Sequence, residues 1–225
     1  MTDRSLKPDI ELIIENVGRG GGGQPPIRDG GDDGERGGRG REPHRAPYER
    51  RYYTALIIAV VAILIFFMAL ASAFIVRRGF GRDWVGIHVP AIVWVNTALL
   101  LASSATLELA RQKLAGGDLG AFRKSWNLTA ALGVAFLVGQ FVAWRLLAAQ
   151  GVYIASNPAS SFFYVFTGAH AIHLLGGVAV LLFVAMRDFA KSRLPRAAAA
   201  EVAAYYWHFM DALWVFLLAL IYVGR

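Results

Sequence analysis

The sequence predicts an all-α integral membrane protein, a bundle of five transmembrane helices. Of its 225 residues, 56% are hydrophobic and only 17% are charged, and the mean hydropathy is +0.45. The apolar residues gather in five stretches that reach the roughly 20 residues a helix needs to cross a bilayer. We expect these spans at about residues 54–76, 87–109, 127–147, 161–186 and 201–223.

The segment before the first span, residues 1–51, predicts a disordered tail. It holds eleven glycines between Gly18 and Gly40, interspersed with arginines and acidic residues. Such a composition cannot bury enough apolar surface to offset the entropy of ordering. The tail also lacks the apolar core of a signal peptide. Because its charges are of both signs, we expect a solvated tether and no nucleic-acid partner, followed by a membrane domain over residues 52–225.

The distribution of basic residues predicts the orientation of the chain. Cytoplasmic loops carry an excess of Lys and Arg. One side of the predicted bundle has thirteen near its span ends: Arg39, Arg41, Arg45, Arg50, Arg51, Arg111, Lys113, Arg123, Lys124, Arg187, Lys191, Arg193 and Arg196. The other side has five: Arg77, Arg78, Arg82, Arg145 and Arg225. We therefore expect a cytoplasmic N-terminus and a periplasmic C-terminus.

Polar side chains lie deep inside the predicted spans. With a helical rise of about 1.5 Å per residue, Asn96, Gln140 and His173 lie roughly 20 Å from the inner ends and Asp211 roughly 15 Å. Polar groups at that depth are costly in lipid, so they predict a buried polar layer inside a compact bundle. Two interpretations remain open: hydrogen bonds between helices, or a proton path or ligand site.

The histidines are candidates for haem or metal ligands. His170 and His173 share a helix face, and His208 lies three residues before Asp211 on another. His208 is predicted much nearer the inner side than the other two, so no pair from different helices lies at matching depth. The chain also has no cysteine. We expect no catalytic, cofactor or metal site, and a structural role for Asn96, Gln140, His170, His173, His208 and Asp211.

Two carboxylates, Glu108 and Glu201, fall at inner span ends, where they can reach interfacial water. Glu201 also opens its span, where a negative charge meets the positive end of the helix dipole. Neither position requires chemistry. The chain has no nucleotide-binding glycine loop, serine elbow or zincin motif. Five spans also fit poorly with the inverted repeats of a transporter.

Three segments resemble subunit III of the haem–copper oxidases. They are PAIVWVNT at 90–97 with LASSAT at 101–106, FFYVFTGAHAIH at 162–173, and EVAAYYWHFMDALW at 201–214. The chain looks like the five-span form, which lacks the first two helices of many family members. Where the family often carries a buried glutamate before a Phe-Phe pair, Ile63 stands before Phe66 and Phe67. The chain therefore has no carboxylate at that position.

The resemblance implies an accessory subunit of a respiratory terminal oxidase in the bacterial inner membrane. Such an oxidase reduces oxygen and pumps protons. The haems and copper belong to partner subunits, with catalytic subunit I and subunit II in the same complex, and bound phospholipid is expected. Phe67 and Trp94 are candidates for acyl-chain contact. A quinol oxidase subunit III, an accessory protein of nitric oxide reductase and, from another class, a small b-type cytochrome remain alternatives.

Overall fold

The computed structural model describes residues 47–80, 84–87, 89–187 and 195–224, which form five α-helices. The helices are α1 (Pro47–Phe80), α2 (Ile92–Ala115), α3 (Leu119–Ala149), α4 (Pro158–Met186) and α5 (Arg196–Val223). Residues 1–46, and with them most of the predicted tail, lie outside this description. The last residues assigned to the tail, 47–51, belong to α1.

Each of the five helices is long and apolar enough to cross a membrane. The predicted fold class, an all-α membrane bundle with five spans, is therefore confirmed. Four helices enclose the predicted spans and extend beyond them. The second starts later than predicted, at Ile92 rather than near Ile87, because Pro90 restricts the residue before it to extended backbone.

Local sequence determines where the helices begin. The Asn157 side chain accepts the backbone N–H of Ser160 at 2.9 Å, and the Ser160 hydroxyl contacts the backbone N–H of Asn157 at 3.2 Å. This reciprocal capping box, with Pro158 at the first helical position, fixes the start of α4. Asp118 accepts the backbone N–H of Ala121 at 2.9 Å and caps the start of α3 with this single bond.

Four of the helices close into a ring. The contacts run from α2 to α3, from α3 to α4, from α4 to α5, and from α5 back to α2. Helix α1 packs outside this ring against α4 and α5. Large aromatic side chains fill the interior, and the largest fully buried ones are Trp126, Trp207, Trp214, Phe67, Phe122, Phe136, Phe163 and Phe166.

Two glycines make room for Trp207 at the centre of the ring. A Cβ atom added to Gly133 of α3 would lie 2.5 Å from the indole ring of Trp207. One added to Gly177 of α4 would lie 3.3 Å from the same ring. Small residues allow membrane helices to approach closely. Here they let a single indole of α5 pack against both α3 and α4.

Candidate functional site

Two indoles of α5 bond to hydroxyls of α2. The Nε1–H of Trp214 donates to Oγ1 of Thr97 at 2.9 Å, and that of Trp207 donates to Oγ of Ser103 at 2.8 Å. Each hydroxyl in turn donates to a carbonyl of its own helix: Thr97 to Val93 at 2.9 Å, and Ser103 to Leu100 at 2.6 Å. Both indole N–H groups and both hydroxyls are thus paired within the bundle.

A third α2 hydroxyl joins the two residues that the sequence places three positions apart on α5. Oγ of Ser104 lies 2.8 Å from Nδ1 of His208 and donates to Oδ2 of Asp211. Because a hydroxyl has a single proton, donation to Asp211 requires that His208 donate from Nδ1. We call Thr97, Ser103, Ser104, Trp207, His208, Asp211 and Trp214 the α2–α5 seam.

The Asp211 carboxylate is only partly satisfied in the seam. The residue is 5% exposed, and within the described residues its Oδ1 atom has no hydrogen-bond partner. A buried charge without a full set of donors is costly, more so where no water reaches it. Asp211 therefore depends strongly on its bond to Ser104.

Three other predicted residues lie in the interior away from the seam. Asn96 of α2 and Gln140 of α3 are almost completely buried, as is His170 of α4. The amide of Asn96 packs against the backbone of α3 at Gly139, so closely that a Cβ there would overlap it. The imidazole of His170 lies between aromatic rings, with its centroid 5.0 Å from that of Trp214.

His173 has different surroundings from His170, although only three positions separate them. Its Nδ1 atom is 2.7 Å from the carbonyl oxygen of Ala169, one turn back on α4. Its ring lies against α1, with centroids 5.7 Å from Phe67 and 6.3 Å from Phe66. The two histidines therefore occupy separate environments. The described part of the chain also contains no group of three or more His, Cys, Asp or Glu side chains placed to hold a metal ion.

The two span-end carboxylates make contacts of different kinds. Glu201 accepts hydrogen bonds from the hydroxyls of Tyr53 on α1, at 2.8 Å, and Tyr205 on its own helix, at 3.1 Å. It therefore links α1 to α5. Glu108 pairs with Arg111 at 2.9 Å within α2, an exposed pair of the kind that contributes little to stability.

The two aromatic residues predicted to contact lipid differ in exposure. Trp94 is 56% exposed on the outside of α2 and is available to acyl chains. Phe67 is 0% exposed, because His173 and the α4–α5 side of the bundle cover it. The prediction that Phe67 faces lipid is therefore wrong. Its neighbour Phe66, 45% exposed, has the outer position instead.

Sequence reasoning missed the hydroxyl half of the seam. It selected His208 and Asp211 by their cost in lipid, whereas Thr97, Ser103 and Ser104 are cheap to bury, since a hydroxyl can bond its own helix backbone. A usable signal was present. Thr97 and Ser104 are seven residues apart, two helical turns on one face, as are Trp207 and Trp214 on α5.

Comparison with known proteins gives consistent matches. The family described as "Cytochrome c oxidase subunit III" matches residues 44–224. A protein of Nocardia farcinica (strain IFM 10152), named probable cytochrome c oxidase subunit 3, is 34% identical over 175 residues, which is 75% of this chain and 86% of that protein.

Two further relatives are named cytochrome c oxidase subunit 3. Cytochrome c oxidase subunit 3 of Corynebacterium diphtheriae (strain ATCC 700971 / NCTC 13129 / Biotype gravis) is 36% identical over 168 residues, covering 71% of this chain and 81% of that protein. The protein of that name from Thermostichus vulcanus is 30% identical over 180 residues, covering 75% and 85%.

Proposed function

The chain belongs to the cytochrome c oxidase subunit III family, and from this premise we propose that it stabilises the catalytic subunit of a respiratory oxidase without carrying a redox centre itself. In this proposal the haems and copper reside in catalytic subunit I and in subunit II. The complex reduces oxygen and pumps protons in the bacterial inner membrane. This chain, with a cytoplasmic N-terminus, supports the complex and holds phospholipid.

The observation that carries the proposal is the use of the polar groups in the α2–α5 seam. Ser103 and Ser104 engage Trp207 and His208 at 2.8 Å each, and Thr97 engages Trp214 at 2.9 Å. Every one of these bonds joins two helices of the same chain. Polar groups committed to helix packing favour a structural role over a ligand site, since they are not free to coordinate a cofactor.

The outer surface supports assembly with partners and lipid. Helix α1 presents large apolar side chains to its surroundings, among them Ile57, Ile58, Leu64, Ile65 and Phe66. Trp94 does the same on α2. In a bilayer such surfaces contact acyl chains or the apolar faces of neighbouring subunits. We assign Trp94 to acyl-chain contact. We assign the exposed apolar face of α1 to contact with the catalytic subunit and its lipids.

The experiment is purification of the complex from its native membrane by an affinity tag on this chain. We expect oxidase subunits I and II to co-purify, with haem absorbance and oxygen consumption. The same chain expressed alone is expected to have no Soret band. A coloured isolated chain would contradict the proposal and favour a small b-type cytochrome. Identification of the co-purified subunits and the electron donor distinguishes cytochrome c oxidase from quinol oxidase and nitric oxide reductase.

A further inference from the structure

A series of side-chain contacts runs around the four-helix ring at one level. Asn96 of α2 lies against Gly139 of α3. Phe136, one turn from Gln140 on α3, has its ring centroid 5.9 Å from that of His170 on α4. The next contact in the series joins the His170 ring to the ring of Trp214 on α5, with centroids 5.0 Å apart. Trp214 then bonds to Thr97, the residue after Asn96, and the series returns to α2.

Three polar side chains of this level point toward the interior. Asn96 shares its α2 face with Leu100 and Ser103, which are also buried. Gln140 shares an α3 face with Phe136 and Gly133, which pack against His170 and Trp207 respectively. His170 itself lies among these rings. Residues three, four or seven apart lie on one face of a helix, so each of the three side chains is on a core-facing side of its helix at this level.

The polar atoms of these side chains are not paired with one another. Within the described residues, Nδ2 of Asn96, both amide atoms of Gln140 and both ring nitrogens of His170 are buried without a hydrogen-bond partner. A buried polar group left unpaired costs about 1–3 kcal/mol. A partner that pairs these atoms in the folded protein would remove this cost.

We propose that Asn96, Gln140 and His170 bind internal water at this level of the bundle. The three side chains offer both donors and acceptors: two amide NH₂ groups, the Gln140 oxygen, and an imidazole with one nitrogen of each kind. Water is a donor and an acceptor, and buried water typically makes about three hydrogen bonds to such groups. None of these three residues belongs to the α2–α5 seam, although Trp214 of the seam lies against His170, and the site does not depend on the proposed accessory function.

The surroundings favour water over a charged ligand. An anion would need donors alone and a cation would need acceptors alone, whereas this set is mixed. In the described part of the chain, no Asp, Glu, Lys or Arg side chain forms a hydrogen bond or a ring contact with these residues. The aromatic rings of Phe136 and Trp214 flank His170 instead. A charge in that environment would lack a counter-ion, and burying it would be costly.

Electron cryo-microscopy of the intact oxidase complex, at a resolution that reveals ordered water, tests the site directly. We expect density within about 3 Å of polar atoms from at least two of the three side chains. Direct hydrogen bonding between Gln140 and His170, or a dry interior at this level, would overturn the proposal. This measurement uses the unmodified protein and therefore does not depend on any variant folding.

A double-mutant cycle on the same complex provides the second test. Gln140→Leu and His170→Leu are each expected to lower the temperature at which the subunit leaves the complex. The double variant should lower this temperature by less than the sum of the two single decreases, because each substitution removes part of one shared water network. Leu174→Ala replaces His170→Leu in the control cycle, since Leu174 is buried one turn away. Additive losses for Gln140 and His170, or a Gln140→Leu variant as stable as the original, would contradict shared water.

Discussion

Trp214 donates its indole N–H to the hydroxyl of Thr97, and this 2.9 Å bond joins the C-terminal half of α5 to α2. Thr97 sends its own proton to the carbonyl of Val93, so the hydroxyl is satisfied on both sides. The Trp214 ring also packs edge-on against Phe136 of α3, with centroids 4.9 Å apart. A single side chain thus connects three helices.

Replacing Thr97 by valine tests this bond with almost no change in shape. Because the indole N–H then has no acceptor in an apolar interior, we expect a loss of about 1 kcal/mol in stability. The measurement is the thermal midpoint of subunit release from the purified complex. Thr54→Val is the control, since the Thr54 hydroxyl is exposed and bonds only its own helix at Arg50. Equal midpoints for the two variants would argue against the bond.

Asp211→Leu is expected to disrupt assembly more than electron transfer. The substitution removes the carboxylate that accepts the Ser104 hydroxyl proton, and only the Ser104–His208 contact remains of this group. Asp211→Asn keeps an oxygen for Ser104 and should retain more subunit in the complex. Subunit stoichiometry and oxygen consumption per haem are measured on each purified complex. Full stoichiometry combined with lost turnover in the leucine variant would point to a chemical role instead.

Two glycines of the bundle provide a matched pair of alanine substitutions. A Cβ at Gly139 would overlap the Asn96 amide, whereas one at Gly168 meets nothing within 4 Å. Gly139→Ala should therefore destabilise the chain, because the buried Asn96 amide must shift or α2 and α3 must move apart. Gly168→Ala should be neutral or stabilising by up to about 1 kcal/mol, from helix propensity. Thermal release of the subunit measures both, and the opposite ranking would show that α2 and α3 are not so closely packed.

The absence of cysteine from the chain makes its orientation directly measurable. Gly116→Cys places a thiol in the exposed connection between α2 and α3, and Ala155→Cys places one between α3 and α4. With a cytoplasmic N-terminus, a membrane-impermeant maleimide added to intact cells should label Cys at 155 and spare Cys at 116. Labelling after membrane permeabilisation confirms that both thiols are reactive. The reverse pattern would invert the orientation.

Trp94 and Phe67, the two aromatic residues predicted to contact lipid, differ in exposure. Trp94→Ala should reduce the phospholipid retained in native mass spectra, because its ring is on the outer surface. Phe67→Ala should leave the lipid count unchanged and instead cost about 3–5 kcal/mol in stability, as expected for a large buried ring. A loss of lipid with Phe67→Ala at unchanged stability would contradict the buried position.

The sequence predicted the helices well because length and hydropathy determine which segments span a bilayer. The error at the start of α2 arose where apolar residues such as Ile87 and Val89 precede Pro90 without being helical. Hydropathy does not distinguish these residues from the span itself. The backbone restriction that Pro90 imposes on the residue before it does distinguish them.

Depth along each helix was more predictable than rotation about it. Counting residues placed Asn96 and Gln140 at one level, and Asn96 does lie against Gly139, next to Gln140. The same counting selected His173 for the layer, but the structure directs His170 toward Trp214 and His173 toward Phe67. Which of two nearby residues faces the core depends on neighbouring helices, and that information is absent from the spacing alone.

The position of α1 has a consequence for how the chain is made. Its packing partners in the described structure are α4 and α5, which begin at Pro158 and Arg196, whereas α1 ends at Phe80. Helices α2 and α3 can pair as soon as both have left the ribosome, but α1 must wait in the bilayer until the last span is inserted. A chaperone or insertase that shields a lone helix during this interval would therefore act chiefly on α1.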